Sequence, residues 1–211
     1  DQYLLSNGLG VFGASQNFSI ELWFKTDSMD DMTLFSNGKG DDSDDNEQDW
    51  TLQLSAGKLS VHNNGRVVQL ENSLADGSWH HLAMTVNRNT NIQVFVDGEL
   101  AKSVSSDGFS GFGNDLFWYG RRGWTNGGVV QSDQYFDGLI DEFRLWSTVR
   151  SQDEILYSRY NNLTGNELGL VLYYPFEAYQ EQAGILVSAT SNSNGKTGAG
   201  TESALDQQAS Y

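Results

Sequence analysis

The chain has no cysteine, a single proline, and only 12 lysines and arginines against 28 aspartates and glutamates. Without cysteine there is no disulfide framework and no thiolate available as metal ligand or nucleophile. Secretion stays open, because a chain of 211 residues can bury a core without bridges. The formal charge of −16 repels phosphate backbones and anionic headgroups, which argues against nucleic acid and membrane partners and suits divalent cations. No apolar run approaches the roughly 20 residues of a membrane span, and no signal peptide opens the chain. Asp1 stands at the approach to a strand, so the expectation is a piece cut from a longer protein.

With 38% hydrophobic and 12% aromatic residues, the composition is globular. Short alternating runs dominate. Phe18, Ile20, Leu22 and Phe24 fall on one face of 17–25, as a half-buried strand requires. Strands follow at 50–55 and, after the Ala56-Gly57 turn, at 58–62. Further strands are expected at 79–86, 92–96, 99–104, 116–119 and 139–146, and a strong one at 170–176. Asp97-Gly98 is a two-residue hairpin signal, since both central positions of a type I′ turn need positive φ. This spacing predicts an all-β, two-sheet antiparallel sandwich or jelly roll. One helix is expected over 151–160, capped by Ser151 with Glu154 three residues later, packing on the sandwich edge. Residues 1–178 form the predicted jelly roll. Residues 179–211, rich in Ser, Gly, Asn, Ala and Gln, read as a possible closing strand followed by a tail or linker.

The segment Lys39–Trp50, KGDDSDDNEQDW, carries six carboxylates. An EF-hand loop needs carboxylates at positions 1, 3 and 5, Gly at 6 and Glu at 12. Starting from Asp42, position 6 is Glu47 and position 12 is Gln53, and the other registers also fail. Dense oxygen donors in so short a loop repel one another, and a bound Ca²⁺ would relieve the repulsion. The alternative is a solvated surface loop.

Three motifs occur in order: Trp79-His80-His81-Leu82-Ala83, Val94-Phe95-Val96-Asp97-Gly98, and the run from Phe136 to Ile155, FDGLIDEFRLWSTVRSQDEI. Together they resemble the concanavalin A-like laminin-G/pentraxin group of jelly rolls, over roughly residues 3–176. The stretch from Leu163 to Phe176 resembles what often follows such a domain in large bacterial surface proteins. The resemblance implies calcium. In pentraxins an Asp-Asn pair before the corresponding strand binds the ion, and Asp45-Asn46 match it in type and place. The other half of that site aligns with Arg121-Arg122-Gly123, which cannot ligate through side chains, while Gln134 keeps the later Gln, with Asp133 beside it. The implied ligand set is therefore an altered one: Asp45, Asn46, Asp133 and Gln134, with help from carbonyls and neighbouring carboxylates such as Asp44.

The segment 118–135 reads as a loop mixing Trp124 and Tyr135 with Arg121, Arg122 and Asn126. Aromatic rings with amide and guanidinium donors suit sugar faces or peptide side chains. Arg121 and Arg122 could instead pair with the acidic loop. His80 and His81 are adjacent in a strand and point to opposite faces, so they cannot share one ion. With Trp79 they belong to the structural signature, and His62 looks isolated. Laminarinase-like hydrolases of this fold place their acids in E-x-D-x-x-E on one strand. Here Asp141 and Glu142 are adjacent and diverge, so Asp141 is expected to hold a loop or a structural ion. The resulting expectation is a non-catalytic, calcium-dependent, lectin-like module of an extracellular adhesin at the cell surface. It would bind a glycan or a peptide beside neighbouring domains of its chain. A structural or protein-binding spacer and a degenerate glycoside hydrolase are the alternatives.

Overall fold

A computed structural model describes residues 4–6, 15–38, 50–112, 116–126, 129–176, 179–180 and 185–186. In chain order the strands are β1 (Leu4–Ser6), β2 (Phe18–Lys25), β3 (Met32–Gly38), β4 (Trp50–Ser55), β5 (Lys58–Asn63), β6 (Arg66–Ser73), β7 (Trp79–Val86), β8 (Asn91–Val96) and β9 (Glu99–Ser105). Then come β10 (Leu116–Tyr119), β11 (Arg122–Asn126), β12 (Val129–Asp133), β13 (Leu139–Trp146), helix α1 (Gln152–Ser158), β14 (Leu170–Tyr174), β15 (Tyr179–Gln180) and β16 (Ile185–Leu186). Two six-stranded antiparallel sheets face each other, ordered β1-β10-β3-β4-β5-β6 and β14-β13-β2-β7-β8-β9. The first is called sheet A and the second sheet B. The architecture is the predicted two-sheet sandwich with one short helix.

Alternation builds the core. Leu52, Leu54, Leu59 and Val61 of sheet A meet Ile20, Leu22, Leu82 and Met84 of sheet B. Phe35 ties the two layers, stacking on Phe143 at 5.3 Å between ring centroids and meeting Phe117 edge-on at 5.5 Å. Turn chemistry sets the registers. Asp97 and Gly98 both have positive φ, at 53° and 86°, and close the β8–β9 hairpin. Ala56-Gly57 does the same for β4–β5, pairing Ser55 with Lys58.

Three expectations need correction. β2 is not half-buried: Ser19 and Glu21, which point away from the core, are as inaccessible as Phe18 and Leu22. The reason is the helix, which lies on the outer face of sheet B rather than on the sandwich edge. Ile155 packs against Ala83 and Phe95, and the Trp23 indole N–H donates to the Arg159 carbonyl at 2.9 Å. The segment 118–135 is not a loop but the end of β10 followed by the β11–β12 hairpin, closed at Asn126↔Val129. β3 and β6 were also unforeseen.

The signature motifs prove to be the machinery that seats α1. The helix begins with a complete capping box between Ser151 and Glu154. Arg144 donates to the carbonyls of Ser158 and Asn161 and pairs with Glu142, which sits at φ 53° within a register break of β13. Gly138 is required at the start of this motif, because at φ 156° a Cβ would lie 2.2 Å from the Lys25 carbonyl oxygen.

Candidate ligand-binding face

The side chains of sheet A that point away from the core make a polar strip. Because the Ala56-Gly57 turn pairs Ser55 with Lys58, Gln53 stands opposite Ser60 and Thr51 opposite His62. These four alternate with Leu52, Leu54, Leu59 and Val61 of the core, so all four point away from it, Thr51 and Ser60 nearly sealed at 6% and 3% exposed, Gln53 and His62 half-buried. His62 joins them: its Nε2 lies 2.8 Å from the Gln53 amide nitrogen and 2.9 Å from the Ser60 hydroxyl. Burial, and secondly the Arg122 guanidinium, hold the His62 imidazole below its ordinary value, which favours the neutral ring accepting at Nε2. On the next strand Val67 pairs with His62 and Gln69 with Ser60, extending the strip.

The base of the β11–β12 hairpin walls this strip. Arg122 binds Asp133 through two parallel contacts, Nε to Oδ1 at 2.8 Å and Nη2 to Oδ2 at 2.7 Å. Gln134, at φ 49°, accepts the Thr33 amide on its carbonyl and the Thr33 hydroxyl on Oε1, the latter at 3.1 Å. Thr33 in turn pairs with Gln53. The hairpin is pressed onto sheet A by Trp118, which is fully buried on the outer face with the Arg121 guanidinium 4.2 Å from its ring. Gly123 is the contact point, since a Cβ there would lie 2.4 Å from the indole.

The sequence-predicted residues fall in different places. Asp44, Asp45 and Asn46 lie outside the described residues. Asp133 and Gln134 are described, and their oxygens are occupied by Arg122 and Thr33. Gln134 is anchored beside Thr33, five positions before Gly38, where the acidic segment leaves β3. Among the described residues no three His, Asp or Glu side chains converge on a metal position. Asp133 and Gln134 are thus held by Arg122 and Thr33, and the rest of the expected donor set lies in the acidic segment.

Arg121, expected at the ligand surface, is 4% exposed and serves the Trp118 stack instead. Trp124 and Asn126 lie in β11, Trp124 opposite Gln131, with side chains outside the description. Tyr135 is exposed just after the hairpin. His80 and His81 do point to opposite faces. His80 bridges Asp97 at 2.9 Å and Asp76 at 3.2 Å, while His81 faces Glu21 beneath α1. Trp79 opens β7 and is exposed. The Asp141 carboxylate accepts the amide of Glu142 at 2.8 Å, so it holds the β13 irregularity. His62, Gln53, Ser60 and Thr51 were missed, although the turn register and strand alternation together place all four on one face.

A family profile described as the concanavalin A-like lectin/glucanases superfamily matches residues 1–156. Among solved structures, the chain is similar to a protein from Bacteroides ovatus described as carbohydrate-binding, with a TM-score of 0.69 and 21% identity over 90% of this chain and 53% of that one. It is also similar to the ligand binding domain of botulinum neurotoxin serotype D in complex with N-acetylneuraminic acid, with a TM-score of 0.55 and 16% identity over 81% and 43% of the two chains. A curated relative, the non-toxic nonhemagglutinin of Paraclostridium bifermentans, is 33% identical over 95 residues, which are 42% of this chain and 8% of that protein. The chain thus spans about half of the first structure and a small part of the curated relative.

Proposed function

This chain belongs to the concanavalin A-like lectin/glucanases superfamily, and on that premise we propose that it is a non-catalytic, lectin-like module that binds glycans. The observation that carries the reading is the strip on which the half-buried Gln53 amide and His62 imidazole stand together, joined by the buried Ser60 hydroxyl with Thr51 beside them. Such groups offer donors and acceptors at strand spacing, which suits a row of sugar hydroxyls. Two likenesses, one to a protein described as carbohydrate-binding and one to a domain in complex with N-acetylneuraminic acid, support the class of ligand. A binding rather than hydrolytic role is supported by the acidic pair of β13. Asp141 holds a backbone amide, and Glu142 is engaged by Arg144 and Tyr173 of the same sheet B.

Calcium is part of the proposal, carried by Asp44, Asp45 and Asn46 and their neighbours in the acidic segment. So is an extracellular, cell-surface setting as one module of an adhesin-like chain. A glycan array probed with the wild-type chain and with Gln53→Ala tests the reading. Loss of binding in the variant at unchanged melting temperature is expected. Undiminished binding by the variant would move the site elsewhere, and no binding by the wild type would end the glycan reading.

A second reading, a protein-binding spacer, is favoured by one observation. Tyr157, Tyr160 and Leu168, on and after α1, are 80%, 71% and 95% exposed. Large apolar side chains so exposed on so acidic a chain are the kind of surface that meets another protein.

A further inference from the structure

Resting on the glycan reading, we infer that the strip selects uncharged sugars over sialylated, uronic or sulfated ones. Three features combine. The described groups of the strip around His62 are neutral hydrogen-bonding side chains: Thr51, Gln53, Ser60 and the imidazole itself. Arg122, the cation whose field reaches His62, is clamped by both oxygens of Asp133, which already neutralise its charge. Of the other cations of the face, Arg121 is sealed against Trp118, and Lys58 opens β5 at the turn end, four residues along the strand from His62, or about 13 Å.

The third feature is the charge of the chain: 28 aspartates and glutamates stand against 12 lysines and arginines, a formal charge of −16. A surplus of that size raises the cost of bringing an anion to the surface, and one divalent cation would not cancel it. A neutral pyranose meets no such opposition. The inference departs from the solved neighbour that holds N-acetylneuraminic acid, because it follows from the charges of this chain.

The test is an array of neutral oligosaccharides, each printed beside its sialylated, uronic-acid or sulfated counterpart. It is probed with the 211-residue chain in millimolar calcium at about 0.05, 0.15 and 0.5 M salt. The neutral member of each bound pair should win by at least about fivefold at the lowest salt, with the gap shrinking as salt rises. Asp133→Asn, which releases Arg122, should narrow the gap at every salt concentration. Charged members bound as well as or better than their neutral partners at low salt would overturn the inference and leave the glycan reading standing. A preference indifferent to salt would overturn its electrostatic basis. Silence across both members of every pair would defeat the glycan reading, and this inference with it.

Discussion

Glu21 and His81 face each other across 3.4 Å beneath α1, both sealed from solvent. Arg150 stands 3.5 Å and Arg144 4.0 Å from the same carboxylate, and neither Glu21 oxygen has a hydrogen bond among the described residues. A buried carboxylate so placed is held by charge alone, and it compensates two guanidinium groups. Glu21→Gln keeps the shape and removes the charge. We expect it to cost about 3 kcal/mol and to lower the melting temperature by roughly 6–12 °C. A calorimetric melt within a degree of wild type would show that Glu142 and Glu154 suffice as counter-charges for the two guanidinium groups.

The contact between Gly123 and Trp118 yields a second expectation. A methyl group at position 123 would enter the indole ring and lift the hairpin from sheet A. Overpacking of this kind costs about 1–3 kcal/mol. Gly123→Ala should therefore move the urea midpoint down and weaken glycan binding, since the base of the hairpin walls the strip. An unchanged midpoint would mean that the hairpin is free to rise.

Acid should act through His62. Its folded value lies below the ordinary one because of burial and, secondly, Arg122, so the unfolded chain takes up this proton more readily than the folded one. The stability it contributes is complete above the ordinary value near 6.5, and is lost as pH falls through the lower folded value. Protonation also turns Nε2 from acceptor to donor, which disrupts its pairing with the Gln53 amide. Stability should begin to fall on acidification below about pH 6.5 and binding at lower pH, through the folded value, and His62→Gln should flatten both curves. Parallel profiles for the two proteins would assign the acid response to other groups.

Calcium removal should separate the acidic segment from the rest. If the ion binds the folded chain only, calcium at about 100-fold over its dissociation constant adds about 2.7 kcal/mol. Melts in calcium and in chelator should then differ for the wild type and coincide for Asp44→Asn/Asp45→Asn. Coincident wild-type melts would remove calcium from the account.

The sandwich and its family were legible because two of the three motifs carry backbone necessities: the Asp97-Gly98 turn in one, the Gly138 approach to Lys25 and the Ser151 cap in the other. β6 was missed although Asn64-Gly65, both at positive φ, is as clear a hairpin signal as Asp97-Gly98. β3 was hidden by its bulge between Thr33 and Phe35, which puts Leu34 and Phe35 both among the core residues and breaks the alternation. The helix position could not be read locally, because what draws it over the sheet is Arg144, Arg159 and Trp23, far apart in the chain. The strip was overlooked for a different reason. His62 has no meaning on its own strand and acquires one only across the β4–β5 register.

The motifs that identify the fold crowd onto sheet B, and the strip lies on sheet A, with the core between them. Substitutions on one side can therefore accumulate with little mechanical consequence for the other. Proteins sharing these signatures are free to diverge in what they recognise, and shared motifs will be a poor guide to a common sugar. The residues to compare between such proteins are the outward positions of β4 and β5, which no signature includes.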